Sequence, residues 1–270
     1  MKTSDTTQLA SSKRVLGLAT LLVALTSPTS AAISYLSGHG DIGLGEGSEL
    51  EPHVHLSAGA VVNGSPLAEE AEFEPGDVRI VVPQSTADYI TSIGGRPTGT
   101  AWDPLGANAG ETFWLLPETN AGAGGAAALN APFLGIGGEE ITLGAFDDNL
   151  FTLSLVSASM PAGGDFSIYT FAGFNPSFFM STANGIDSSD LLTLDLDSAD
   201  HIHANFAFTQ PGLYSITFEI AALQGGTPVS TQATYNFAVV PEPATTAALA
   251  GAAALGFIAW RRRSRATIAR

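Results

Sequence analysis

The 270-residue sequence has no cysteine. That excludes a disulfide framework, a zinc-finger type thiolate site, an Fe–S cluster and a cysteine nucleophile. Basic residues are scarce, with Lys+Arg 10 against Asp+Glu 26 and a formal net charge of -16. Nucleic acid is therefore excluded as a partner, because a phosphate backbone has to be met by clustered Lys and Arg. Charged residues of either sign are only 13% while hydrophobic residues are 45%, which is too apolar for a disordered chain. No Gly-x-Ser-x-Gly, phosphate loop or dinucleotide fingerprint occurs, so the enzyme classes those motifs carry have no support. What is abundant is turn chemistry, 30 Gly and 15 Pro, too dense for a helical bundle. One all-β domain of about 200 residues is the expectation.

The two ends stand apart from that domain. Lys13 and Arg14 precede an apolar run from Val15 to Leu25, followed by small residues reaching Ala31 and Ala32. This is the pattern of a secretory signal peptide over residues 1–32, with an apolar helix too short to span a bilayer. At the other end Pro241-Glu242-Pro243 is followed by an apolar stretch from Ala244 to Trp260, then Arg261, Arg262, Arg263 and Arg265. At about 1.5 Å rise per residue that stretch reaches roughly 25 Å, just short of a hydrocarbon core of roughly 30 Å. A marginal transmembrane helix is expected, with the arginines and the tail 266–270 on the cytoplasmic side. Between the ends only Arg79 and Arg96 face 24 carboxylates, a net charge of -22 over residues 32–240. Such a surface concentrates cations, and it also serves solubility in a salty medium.

The C-terminal unit 241–265, Pro-Glu-Pro followed by an apolar helix and an arginine cluster, resembles the PEP-CTERM sorting signal. The resemblance implies a Gram-negative host with an exosortase that cuts near Pro241-Glu242-Pro243. It further implies a protein held transiently in the inner membrane, then released or attached to the cell surface or to extracellular polysaccharide.

Within residues 33–240 the hydrophobic period is two. Asp77–Pro83, Thr112–Leu116, Leu150–Val156, Phe166–Phe171 and Leu191–Leu196 read as strands. His201–Thr209, Leu213–Ala221 and Thr231–Val239 read as three consecutive strands of an antiparallel β-sandwich, separated by Gln210-Pro211-Gly212 and by Gln224 to Pro228. Their apolar phase predicts a core of Ile202, Phe206, Phe208, Tyr214, Ile216, Phe218, Tyr235 and Phe237. Ala121–Pro132 reads as a low-complexity, mobile loop.

Five histidines carry the chemical signal: His39, His53, His55, His201 and His203. Four form two His-x-His pairs, and residues i and i+2 of a strand project from one face. In His201 to Phe208 one face carries Ile202, Ala204, Phe206 and Phe208, and the other His201, His203 and Asn205. Val54 and Leu56 likewise oppose Glu51, His53 and His55, while His39 shares a face with Asp41. Neutral imidazoles with a carboxylate from Asp41, Glu51 or Asp200 suit zinc first, with copper or manganese as alternatives. The expectation is one Zn²⁺-like ion held by His53 and His203, with His55, His201 and His39 as further candidates. Two unrelated exposed pairs are the other reading.

Three constellations are weaker. Phe171, Phe174, Phe178 and Phe179 read as core before they read as a binding shelf. Asp195, Asp197 and Asp200 lack the Gly and terminal Glu of a calcium loop. Glu69, Glu70, Glu72 and Glu74 read as a solvated run.

Gly38-His39-Gly40-Asp41-Ile42-Gly43, Leu50-Glu51-Pro52-His53-Val54-His55, Phe113 to Pro117, Gly163 to Tyr169 and His201 to Tyr214 together resemble the choice-of-anchor M domain, which is similar to the actinobacterial surface-anchored protein domain. Phe206 stands where that family often has Trp, and the anchor differs. The resemblance implies a surface-displayed receptor whose ligand could be a metal. The expected protein is therefore exported, non-enzymatic, and located at the cell surface or in the extracellular matrix. A metal-dependent hydrolase or oxidase with Glu51 as general base and a purely structural matrix protein are the alternatives.

Overall fold

The computed structural model describes residues 33–173 and 175–240. The expected signal peptide, the expected transmembrane helix, the sorting residues Pro241, Glu242, Pro243, Arg261, Arg262 and Arg263, and Phe174 lie outside them. Among the described residues no helix is long and apolar enough to cross a membrane.

Among the described residues sixteen strands dominate. In the first half they are β1 Ile33–Gly43, β2 His53–Leu56, β3 Val61–Val62, β4 Ser65–Pro66, β5 Ala71–Phe73, β6 Val78–Val82, β7 Trp114–Leu116 and β8 Pro132–Gly137. The second half adds β9 Leu150–Ser159, β10 Phe166–Ala172, β11 Asn175–Ser181, β12 Leu191–Asp195, β13 His201–His203, β14 Asn205–Phe208, β15 Gly212–Gln224 and β16 Thr227–Val239. Two α-helices, α1 Gln84–Ser92 and α2 Ala126–Leu129, and three short 3-10 helices complete the described pattern. A large sheet runs β12-β9-β15-β16-β6-β1-β2-β5, with β3, β4, β8 and β13 joined to it, and a four-stranded sheet runs β11-β10-β14-β7. The all-β sandwich expectation holds.

The core lies between the sheets. Phe206 and Phe208 of β14 meet Phe237 of β16 at ring-centroid distances of 6.2 and 5.2 Å, and Phe208 meets Tyr214 at 5.0 Å. Phe206, Phe208, Tyr214, Ile216, Phe218, Tyr235 and Phe237 are all buried, as the alternation requires, whereas Ile202 is only half-buried against the core edge.

Several expectations need correction. The His201–Thr209 run is not one strand: β13 pairs with β8 in the large sheet, and after Ala204 the chain continues as β14 in the small one. Hence β14 is not a neighbour of β15, and the Gln210-Pro211-Gly212 turn carries the chain from one layer to the other. Asn205, placed on the polar phase, is buried. A second apolar cluster including Ile90, Trp102, Phe113, Leu115, Tyr169 and Ala207 covers that outer face, so alternation there cannot distinguish core from solvent. Three pairings are parallel, β1 with β6, β1 with β8 and β16 with β6, so the large sheet is mixed. The glycine- and alanine-rich 121–132 segment folds into α2 and supplies the first residue of β8.

The strand that positions the histidines is β1, which carries two phases. Tyr35 and Ile42 are both core residues although an odd number of positions separates them. A bulge against β3, between Tyr35 and Ser37, inserts one residue and reverses the phase. Gly38 has φ +93, and a Cβ there would stand 2.7 Å from the Ala60 backbone, so only glycine fits. Beyond this point His39, Asp41 and Gly43 share the face opposite the core.

Candidate metal centre

Strand register brings all five histidines to one face of one sheet. Asp41 is paired with His55 of β2 on one side and with Gly135 of β8 on the other, and Gly135 is paired with His203 of β13. One row along, Gly43 is paired with His53 and with Gly137, which is paired with His201. His39 follows in the next row, paired with Phe133.

The glycines are what make the face open. A Cβ at Gly135 would strike Asp41 Oδ1 and come within 3.1 Å of His203 Cε1, and one at Gly137 would stand 3.1 Å from His201 Cβ. A Cβ at Gly43 would run into the imidazole of His53. Side chains from the flanking strands thus lean over a floor that carries none.

His39, His201 and His203 form the first donor group, with one ligand nitrogen from each within 4.8 Å of the others. His39 Nε2 and His203 Nε2 are 3.3 Å apart. His39 Nδ1 is 2.8 Å from Ser57 Oγ, which fixes its ring. His203 stacks flat on Phe133, with centroids 3.6 Å apart and planes 9° from parallel. Burial pushes His203 down to about 4, with the neighbouring Leu134 backbone opposing the shift and His39 and His201 reinforcing it. It is therefore neutral at physiological pH, the ligating form.

Asp41 lies beside this group, next to His39. It is 2% exposed, its Oδ2 lies 3.5 Å from His39 Nε2, and its Oδ1 has no hydrogen-bond partner. Burial raises its carboxyl to about 6, with Glu139 adding to the rise and His39, His201 and His55 opposing it. A buried carboxylate oxygen with no donor is costly unless a proton or a cation meets it. At the rim, His201 Nδ1 lies 2.9 Å from Glu139 Oε1 and 3.0 Å from Asp200 Oδ1.

His53 belongs to a different group, with Glu72 and Glu140. Its Nε2 is 2.5 Å from Glu140 Oε2, and His55 Nδ1 is 3.0 Å from Glu140 Oε1. The structure thus divides the five histidines, placing His53 apart from His203.

Sequence reasoning found all five histidines, Asp41 and Asp200. It missed Glu139 and Glu140, adjacent carboxylates after β8 that serve the two groups separately. The only available signal was an acidic pair closing the Gly-rich run Gly135 to Gly138. Glu72 is exposed, as a solvated run requires, and in β5 it is register-paired with His55. Glu51 contributes its backbone carbonyl to His53 Nδ1 at 2.9 Å, while its residue is exposed. Asp195 is occupied within its own turn, accepting from Asp197 N and Ser198 Oγ. Of the aromatic shelf, Phe171 is 45% exposed and Phe178 packs on Tyr169 at 4.9 Å.

Residues 239–263 match the PEP-CTERM protein-sorting motif. The motif marks an exported protein handled by an exosortase. No curated protein and no solved structure matches the chain.

Proposed function

We propose that this exported chain is a non-enzymatic, surface-displayed protein that binds a divalent metal ion, zinc first, through His39, His201, His203 and Asp41. The observation that carries the reading is the 3.3 Å approach of His39 Nε2 to His203 Nε2 beside a buried carboxylate oxygen without a partner. Two nitrogens each about 2.0–2.1 Å from a tetrahedral ion stand about 3.3–3.4 Å apart. Three imidazoles within reach of one another, with the Asp41 carboxylate beside His39 as the proposed fourth donor, suit zinc. Ser57 Oγ, the Phe133 ring and the paired strands hold the ligands in place, as supporting groups around metal ligands do. The net charge of -22 raises the local cation concentration at low salt. With Asp41 as the fourth ligand no position is left for a reactive water, and that is the feature separating binding from hydrolysis.

The test is calorimetric titration of the purified full chain with Zn²⁺ at pH 7.5. Saturable binding that is lost in His203→Ala and in His39→Ala, with unchanged far-UV circular dichroism, is expected. Binding undiminished in both variants, or no binding of zinc, copper or manganese, would leave a structural role. The domain resembling choice-of-anchor M and the polysaccharide partner belong to the same proposal, supported by the sequence blocks that carry His39, His53 and His201.

A further inference from the structure

We infer that the same sheet face carries a second divalent-cation site of different chemistry, built from His53, Glu140 and Glu72 with His55 beside them. It deepens the reading above, which uses none of these residues.

His53 Nδ1 lies 2.9 Å from the carbonyl oxygen of Glu51. A carbonyl only accepts, so Nδ1 carries the hydrogen and the neutral ring presents a lone pair at Nε2. That atom is inside the protein: His53 is 9% exposed, and Nε2 has no hydrogen-bond partner. What faces it is Glu140 Oε2 at 2.5 Å, out of line for an N–H···O bond. A lone pair set against a carboxylate is repulsive unless a cation lies between them. Either the ring carries a second proton or a metal ion supplies the charge.

Surrounding donors favour the metal. Glu140 turns its other oxygen to His55 Nδ1 at 3.0 Å, and Glu72 brings a carboxylate oxygen within 4.8 Å of both His53 and Glu140. Glu70 Oε2 lies 3.8 Å from His55 Nε2. A single imidazolium would leave the two carboxylates of the group in excess, whereas a divalent ion balances them. Imidazole plus oxygen donors suits zinc and also manganese, in contrast to the three-imidazole site. Bonds of about 2.0–2.2 Å to His53 and Glu140 require the two atoms about 3.3 Å apart, a small outward movement of Glu140 in the loop after β8.

The two sites are distinct in space. His53 and His201 are ends of one register row, His53–Gly43–Gly137–His201. Three strand spacings of about 4.8 Å separate their backbones by roughly 14 Å.

Stoichiometry and spectroscopy together test the site. Zinc bound to the dialysed full chain is counted by mass spectrometric metal analysis and by calorimetry. Wild type should hold two ions, Glu140→Gln one, His203→Ala one, and the double variant none. One ion in wild type and in Glu140→Gln, lost in His203→Ala, would overturn this second site and leave the first intact. One ion lost in Glu140→Gln but kept in His203→Ala would overturn the first reading and leave this one. The second measurement is ¹⁵N NMR of the His203→Ala chain during Zn²⁺ titration. The His53 Nε2 resonance should lack a proton at pH 7.5 and shift on zinc addition. A protonated Nε2 that zinc does not move would show an ion pair with Glu140 and overturn the site.

Discussion

The β15–β16 hairpin and the face formed by β13, β8, β1 and β2 use the same pleated backbone for opposite ends. The hairpin pairs every residue from Gly212↔Val239 to Gln224↔Thr227 without a register break. Its inward phase, Tyr214, Ile216, Phe218 and Ile220 opposite Tyr235 and Phe237, is buried. The histidine face spends its positions on glycine, histidine and aspartate. Asp41 Oδ1, His53 Nε2 and His203 Nδ1 are buried there without partners, and no buried side-chain atom of the hairpin is left so. Buried polar groups without partners cost stability, so the hairpin carries the fold while the face gives up stability to hold donor groups.

The largest effect that tests this contrast is in the hairpin. Phe237→Ala should cost about 3–5 kcal/mol in urea unfolding, because its ring touches Phe166, Phe206 and Phe208. The zinc affinity of the remaining folded chain should not change. A loss below about 1 kcal/mol would mean that the sandwich core lies elsewhere.

Gly135→Ala comes next, at about 1–3 kcal/mol for a methyl group forced into filled space. Here the contrast should reverse. The methyl displaces Asp41 and crowds His203, so zinc affinity measured by calorimetry should fall at least tenfold. Unchanged affinity would show that the glycine floor is not needed.

Asp41→Asn sharpens the comparison through pH. The Asp41 carboxyl is raised from 3.8 to about 6, so the stability it contributes is present below 3.8 and lost as pH rises through 6. His203 is lowered from 6.5 to about 4, so its contribution is present above 6.5 and lost as pH falls through 4. Between about 4 and 6 the two oppose each other. The metal-free wild type should show a flatter profile of melting temperature there than Asp41→Asn, which keeps only the histidine slope. Near pH 7 the variant should be more stable by about 1–3 kcal/mol, since it removes a buried charge without a donor. Its zinc affinity should drop about 10–100-fold. In wild type, affinity should climb as pH rises through about 6, where the Asp41 carboxyl gives up its proton. A variant less stable than wild type at pH 7 would contradict the assignment.

The smallest effect belongs on the hairpin surface. Thr217 Oγ1 and Thr234 Oγ1 are 2.8 Å apart across the strands, and Thr217→Ala should cost about 0.2–1 kcal/mol in the same unfolding assay with no change in metal binding.

How much of this was legible differs between the two regions for a physical reason. The inner part of the hairpin was legible because strict alternation is a local signal, and seven core residues of the hairpin and β14 follow from it; its distal ends were not, since Gln224 to Pro228 read as a turn region while the strands run on to Gln224 and from Thr227. The His201–Thr209 run misled because alternation continues across Ala204 while the chain changes sheets, and period alone does not say which partner a strand takes. Strand β1 escaped because its bulge at Tyr35–Ser37 breaks the period. The parallel pairings of β1 with β8 and of β16 with β6 join segments far apart in sequence and leave no short-range trace.

The sequence by itself determined the export signal class, the absence of thiol chemistry, the acidic surface, the β period and the face on which each His-x-His pair projects. All of these depend on composition or on neighbours within a few residues. Which histidines meet, which carboxylates join them, and that Gly43, Gly135 and Gly137 clear the space were decided only by tertiary structure. Register between β13, β8, β1 and β2 spans residues 39 to 203, and a one-residue slip would turn every one of those side chains into the core.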